Sequence, residues 1–128
     1  MRVIARQADP VSAPSQMRPY LGQTLVTVGS QYDVHALAVF QGITLFQVID
    51  DLGYPGWKPA WLFDTVDPAI PADWVCSVFH DDPGLVLGPS FVAESAESYS
   101  AMVELDPAQV DRFWNRVRSH RPSDKGED

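Results

Sequence analysis

The chain has 128 residues, of which 45% are hydrophobic and 11% aromatic. This length suits one domain with one core, and the composition is that of a globular protein, not of a disordered one. The net charge of -8 disfavours binding to nucleic acid or to an anionic membrane surface, because like charges repel. Eleven prolines and eight glycines favour many short elements joined by tight turns, and therefore β structure.

The negative charge is concentrated in the middle of the chain. Between Pro19 and Asp111 there are thirteen acidic residues and a single basic one, Lys58, whereas the other basic residues lie near the two ends. Such an acidic body attracts a basic protein over a long range and speeds their encounter. Solubility alone is the competing explanation for the excess.

The ends of the chain are predicted to flank the folded body. Residues 7–19 are polar, contain prolines and have no hydrophobic period, and SDKGED is a polar terminus. We therefore expect one domain over residues 1–128, with an N-terminal arm (1–18), a folded body (19–120) and a tail (121–128). Within the arm, MRVIAR predicts a short edge strand.

Cysteine content and the N-terminal sequence bear on the compartment. The single cysteine, Cys76, has no partner for an internal disulfide, and its place in the apolar run WVCSVF predicts a buried thiol. The N-terminus lacks the apolar stretch of a signal peptide, and no window is long enough for a membrane-spanning helix. We expect a cytoplasmic protein without cofactors.

The first half of the body predicts strands in sequence. TLVTV (Thr24–Val28) is β-branched and apolar, YDVHALAVF (Tyr32–Phe40) alternates in hydrophobicity, and ITLFQVID (Ile43–Asp50) follows after the turn residues Gln41 and Gly42. These three segments predict an antiparallel meander. The glycines, prolines and aromatic residues of Asp51–Pro59 predict an ordered surface loop.

The second half predicts further strands and one clear helix. AWLFDTV favours a strand or an irregular segment, WVCSVF and LVLGP predict a hairpin around the His80–Gly84 turn, and YSAMVEL predicts a final strand after a short helix in SFVAESAES. Asp106 as N-cap, Pro107 at the first helical position and the apolar stripe of Val110, Phe113, Trp114 and Val117 predict an amphipathic C-terminal helix. The pattern predicts an α+β, β-rich fold: a bent antiparallel sheet, or a small SH3-like barrel, with that one helix.

Motifs for metal binding or catalysis are weak in this chain. His80, Asp81 and Asp82 are adjacent, but neighbouring residues in a turn point in different directions, so we expect turn capping instead of a metal site. The acid pairs Asp50–Asp51 and Asp64–Asp67 are of the type used in general acid–base chemistry, yet an acidic chain produces such pairs by chance. We assign no catalytic or metal-binding residue and expect no enzyme.

Aromatic residues beside acids are the strongest candidate for a binding surface. Aromatic side chains anchor protein interfaces, and acids around them complement a basic partner. Trp57, which follows Gly56, is the predicted exposed anchor, whereas Trp61 and Phe63 are expected in the core. The predicted partner-binding residues are Asp50, Asp51, Tyr54, Trp57, Asp64, Asp67, Asp81 and Asp82.

Three segments within residues 30–90 carry a family resemblance: YDVHALAV, PAWLFDTVDPAIPADW and LVLGP. They resemble small bacterial proteins that look like immunity proteins of polymorphic toxin systems. The resemblance implies a small cytosolic protein that binds and neutralises a cognate toxin domain, usually encoded beside it. It carries no fixed binding motif, so no functional residue is transferred to this chain.

Three functions follow as hypotheses. The first is a non-enzymatic inhibitor of the immunity type that grips a basic toxin through its acidic surface. The second is a small enzyme or ligand-binding domain with a pocket lined by Trp57, Trp61 and nearby acids, for which a concave pocket with convergent acids is the expected sign. The third is an accessory or structural subunit that assembles through its helix face or a sheet edge.

Overall fold

The computed structural model describes residues 1–6, 15 and 24–120, and these form an α+β fold. The strands are β1 (Arg2–Ala5), β2 (Gln31–Asp33), β3 (Ala36–Phe40), β4 (Ile43–Ile49), β5 (Pro55–Pro59), β6 (Phe63–Asp67), β7 (Trp74–Val78) and β8 (Leu85–Pro89). The helices are α1 (Ser90–Ala93), α2 (Ala96–Val103) and α3 (Pro107–Ser119), and a 3₁₀ turn (Ala60–Leu62) leads into β6. The predicted fold class is confirmed, but the described strands do not close into a barrel.

Two antiparallel sheets and a helical layer share two adjoining cores. The larger sheet has the strand order β5-β4-β3-β8-β7, and the smaller has the order β2-β1-β6. On one face of the larger sheet, Ala36, Ala38 and Val86 pack against Met102 and Phe113 of the helices. On the other face, a second cluster joins that sheet to Val3 and Phe63 of the smaller one. The larger sheet is therefore the middle layer.

The first strand is central, not an edge. β1 pairs with β2 on one side and with β6 on the other, and its Val3 and Ala5 side chains are buried. The prediction of an edge strand was wrong because MRVIAR is short and sits at the chain start, where sequence pattern gives no sign of two partners. The rest of the predicted arm, apart from Ser15, and the tail 121–128 lie outside the described residues.

The predicted meander differs from the observed one. Thr24–Val28 is an irregular loop, because the N–H of Thr27 donates to the Tyr32 hydroxyl at 2.8 Å instead of to a strand. The predicted strand Tyr32–Phe40 is divided at His35 into β2 and β3, which belong to different sheets. The observed meander is β3-β4-β5, so the predicted loop Asp51–Pro59 contains a strand.

Both predicted hairpins are confirmed. β3 and β4 pair across Gln41 and Gly42, which both have positive φ, as a tight two-residue connection requires. β7 and β8 also pair, and the Asp82–Pro83 peptide bond between them is cis. The segment AWLFDTV combines the 3₁₀ turn with strand β6.

The C-terminal part is more helical than predicted. The first five residues of YSAMVEL belong to helix α2 and not to a strand, because Ser95 caps the helix at the N–H of Ser98 and the buried Tyr99 and Met102 lie three residues apart on one face. Helix α3 is confirmed, with Asp106 accepting from the N–H of Ala108. No described helix has the length and apolar character needed to cross a membrane.

The single cysteine is exposed, which corrects the prediction of a buried thiol. Cys76 lies on β7, an edge strand of the larger sheet. The apolar run around it resembles a core strand in sequence, but β7 is only partly buried by the described residues, and Val75 and Val78 are exposed as well.

Candidate functional site

The turn between β4 and β5 is held by one buried carboxylate. Oδ1 of Asp50 accepts from the N–H groups of Leu52 (3.0 Å) and Tyr54 (3.1 Å), and the N–H of Asp50 donates to the Tyr54 carbonyl at 2.9 Å. Gly53 has φ of +85°, which the turn needs and which glycine adopts without strain. Only 8% of Asp50 is exposed, so this acid builds the turn and does not offer a free surface charge.

Asp50 also forms a buried ion pair. Its Oδ2 lies 3.6 Å from Nζ of Lys58, and both side chains are largely covered. The lysine passes over Gly56: a Cβ on that residue would lie 3.1 Å from Cε of Lys58 and 3.2 Å from Oδ2 of Asp50. The absence of a side chain at Gly56 therefore gives the ion pair its space.

The next residue, Asp51, joins the turn to the loop before β2. Its Oδ1 accepts from the Tyr32 hydroxyl at 2.7 Å, and its Oδ2 accepts from Oγ1 of Thr27 at 2.8 Å. The N–H of Asp51 donates to the carbonyl of Leu25, whose φ is +58°. Burial and the neighbouring Asp51 carboxylate raise the pKa of Tyr32, so its hydroxyl stays protonated as the donor.

The two joined loops display apolar side chains. Val28 is 57% exposed, Leu52 is 64% exposed and Tyr54 is 59% exposed, while the backbone beneath them is fixed by Asp50 and Asp51. We call Val28, Asp51, Leu52 and Tyr54 the turn platform. A rigid platform of this kind loses little conformational entropy when a partner binds.

Asp64 and Asp67 lie on a different element, the edge strand β6. Both are exposed, and the register places them opposite Ile4 and Arg2 on the smaller sheet. Arg2 pairs with Asp33 at 3.1 Å on the other side of β1. This sheet therefore carries a second acidic surface, partly neutralised by one arginine.

Asp81 and Asp82 lie at the far end of the larger sheet from the turn platform. They belong to the β7–β8 connection, where Oδ1 of Asp82 accepts from the N–H of Gln41 in the β3–β4 turn at 3.0 Å. Strand β4 runs from that turn to Asp50, a separation of about 20 Å for a strand of seven residues. The predicted set of binding acids is thus distributed over three places.

Trp57 is not the exposed loop anchor that the sequence predicts. It lies on β5, packs edge-on against Tyr99 with ring centroids 5.1 Å apart, and lines a cavity of about 280 Å³ with Phe40, Leu45 and Val103. Among the residues that the structure describes, Glu104 is the one acid lining it, and Trp61 does not contribute. Trp61 instead lies under the Arg6 guanidinium at 4.9 Å.

Gln47 is a buried polar residue that sequence reasoning missed. It is directly opposite Trp57 in the β4–β5 register, and it is completely buried. Among the described residues, neither its amide atoms nor Nε1 of Trp57 has a hydrogen-bond partner. Its place within the apolar pattern ITLFQVI was the available signal, because a glutamine on a buried strand needs partners.

A cleft near the end of α3 that is lined by arginine and histidine side chains was also missed. Arg116 holds Asp73 through two hydrogen bonds of 2.9 and 2.8 Å, which lower the pKa of that carboxyl, and His120 lies 4.0 Å from it. His35 lies beside Phe113 in the same cleft, and burial lowers its pKa to about 4. These groups come from segments far apart in the chain, so no local motif indicates them.

The described part of the chain contains no group of three or more histidine, cysteine or acidic side chains that is placed to hold a metal ion. In particular, His80, Asp81 and Asp82 do not form such a group. Comparison with protein-family models, with curated proteins and with solved structures gives no match to this chain.

Proposed function

We propose that the chain is a non-enzymatic protein-binding inhibitor of the immunity type, and that the turn platform is the centre of its binding surface. The observation that carries the proposal is the fixed display of Leu52 and Tyr54 beside the Asp51 carboxylate. Exposed aromatic and aliphatic side chains on a rigid backbone are the usual anchors of protein interfaces. Both side chains are more than half exposed and are therefore accessible to a partner.

The charge of the body supports a basic partner. The acids of the platform and of β6 lie in a chain with a net charge of -8, so long-range attraction speeds the approach of a basic domain. Asp50 does not take part in this attraction as an exposed group, because its carboxylate is buried and paired with Lys58. The steering acids are therefore Asp51, Asp64 and Asp67.

A growth assay with the neighbouring gene tests the proposal. We expect the protein encoded immediately upstream to arrest growth and this chain to restore it. Leu52→Ala with Tyr54→Ala should abolish the rescue, because they remove the anchors. Val66→Ala with Ile70→Ala is the matched control, since it removes two other exposed apolar side chains, 48% and 49% exposed, outside the turn platform and should keep the rescue. Failure of the native chain to bind or restore growth contradicts the proposal.

Association kinetics test the role of charge separately. For a purified partner, Asp64→Asn with Asp67→Asn should lower the association rate constant about two- to fivefold at low salt, with little change in dissociation. The difference should vanish at high ionic strength. Rate constants that do not respond to salt contradict electrostatic steering.

The cavity beside Trp57 favours a second candidate function, the binding of a small apolar ligand. Its volume of about 280 Å³ and its apolar lining, which includes Phe40, Leu45 and Val103, suit such a ligand. Cyclohexane should then raise the melting temperature, and Val103→Trp, which fills the cavity, should remove the rise. A melting temperature that cyclohexane leaves unchanged contradicts this function.

A further inference from the structure

The edge strands of the two described sheets differ in their protection against pairing with another chain. The edges are β2 and β6 in the smaller sheet and β5 and β7 in the larger one. Charges or prolines interrupt the first three, which read QYD, FDTVD and PGWKP. β7 reads WVCSV and contains no charge, proline or glycine. Natural proteins use such residues to prevent edge-to-edge pairing, and β7 lacks them.

The outer edge of β7 also has backbone groups ready for pairing. The N–H of Phe79 donates to the Gly84 carbonyl at 3.0 Å, toward β8. Because backbone groups alternate in direction along a strand, Cys76 and Val78 direct their N–H and C=O groups away from β8. No described residue bonds to these outward groups. Val78 is 74% exposed, and Val75 and Cys76 are exposed as well.

We propose that β7 is a self-association edge: two copies of the chain pair their β7 strands antiparallel across a two-fold axis at Cys76, which joins their larger sheets into one. This inference is independent of the proposed inhibitor function. It concerns a surface distinct from the turn platform.

The register follows from the strand itself. Centring the axis on Cys76 is the arrangement that pairs every residue of Trp74–Val78 with one of the second copy. Each Cys76 N–H then donates to the other copy's Cys76 carbonyl, and each Val78 N–H donates to the Trp74 carbonyl. The Trp74 N–H already donates to the Pro71 carbonyl at 3.1 Å, so it forms no hydrogen bond to the second copy.

Charge at the two ends of β7 favours a second copy of this chain in the antiparallel orientation. The start of β7 adjoins α3, where Arg116 is paired with Asp73 and Arg112 lines the same surface pocket, so arginines outnumber the acid there. The end of β7 leads into Asp81 and Asp82, which are exposed. Antiparallel pairing brings the acidic end of each copy near the basic end of the other. Parallel pairing would place acids beside acids.

Sedimentation equilibrium tests the association. A five-residue strand buries less area than a standard interface, so we expect a dissociation constant above about 1 µM and a mass that rises with concentration toward that of a dimer. Val78→Pro should give a monomer, because it removes an outward N–H that bonds to no described residue of the chain. Cys76→Lys should do the same by placing like charges opposite each other. Circular dichroism should show that both variants remain folded.

Disulfide crosslinking tests the register, since Cys76 is the only cysteine in the chain. In a hydrogen-bonded antiparallel pair the Cα atoms are about 5.5 Å apart, within the disulfide range of about 4.4–6.8 Å. The control is Cys76→Ala with Val78→Cys, whose thiols would be offset by about 13 Å along the strands. With a mild oxidant, Cys76 should crosslink at least about tenfold faster, although position 78 is the more exposed.

Three outcomes overturn the proposal. One is a monomeric mass at all concentrations up to about 1 mM, far above the micromolar range expected for a small interface. Another is a dimer that persists in both Val78→Pro and Cys76→Lys, which would place the contact elsewhere. The third is crosslinking through position 78 at a rate equal to or above that of Cys76.

Discussion

The chain contains two Asp–Asp pairs in turns of the same sheet, and the structure uses them differently. In the first pair, Asp50 binds two backbone N–H groups and Lys58, while Asp51 binds the hydroxyls of Tyr32 and Thr27. In the second pair, Asp82 accepts one hydrogen bond from the N–H of Gln41, and Asp81 is exposed. The difference shows that neighbouring donors, and not the acids themselves, decide whether a carboxylate is structural.

The largest expected effect comes from removing the buried carboxylate of the first pair. Asp50→Ala should lower the free energy of unfolding by about 3 kcal/mol, because it leaves Lys58 buried without a partner and frees two N–H groups. Urea unfolding followed by tryptophan fluorescence measures this. Lys58→Met in the same background should recover part of the loss. A loss below about 1 kcal/mol would mean that Asp50 does not stabilise the β4–β5 turn.

Acid pH should lower the stability of the fold through His35. Burial lowers the pKa of His35 to about 4, whereas the unfolded chain takes up that proton near its ordinary pKa of about 6.5. The unfolded state therefore binds more protons between these values, and the free energy of unfolding should fall by up to about 3 kcal/mol as the pH drops from 6.5 to 4. His35→Gln should flatten this dependence. Parallel curves for the two proteins would exclude His35 as the cause.

An intermediate effect is expected for the second carboxylate of the first pair. Asp51→Asn keeps one acceptor oxygen but loses one of the two hydroxyl bonds, so we expect a loss of about 1 kcal/mol. Amide hydrogen exchange in residues 24–30 should become faster, because this loop is joined to the turn through Asp51. Unchanged exchange there would contradict the joining role.

The smallest effect is expected in the second pair. Asp81→Asn should change the free energy of unfolding by less than about 0.5 kcal/mol, since it is an exposed acid without a structural contact among the described residues. The same urea experiment measures it. A loss as large as that of Asp50→Ala would remove the contrast between the two pairs.

The sequence predicts local features better than long-range ones. The β3–β4 and β7–β8 hairpins and helix α3 are encoded by Gln41–Gly42, by flanking apolar runs and by the Asp106–Pro107 cap, and all are confirmed. The central place of β1 depends on strands that lie some 30 and 60 residues away, so its local pattern cannot reveal it. The division of Tyr32–Phe40 at His35 also depends on distant strands, because β2 pairs in the smaller sheet and β3 pairs in the larger one.

The candidate site was predictable in composition and not in arrangement. The sequence predicts Asp51 and Tyr54 as surface residues of an acidic, aromatic segment, and both are exposed. It predicts the same role for Asp50, because it does not show that Lys58 and two N–H groups converge on that carboxylate. It places Trp57 in a loop, because Gly56 and Pro59 are atypical of a strand, whereas Trp57 lies on β5 and packs against Tyr99 of a helix.

Hydrogen exchange with and without the partner tests the central claim most directly. For the protein encoded upstream, we predict slower amide exchange in residues 25–30 and 50–54 on binding, and unchanged exchange in residues 79–84. That result would place the partner on the turn platform. Protection confined to residues 79–84, with none at 50–54, would contradict the account and assign binding to the second Asp–Asp pair.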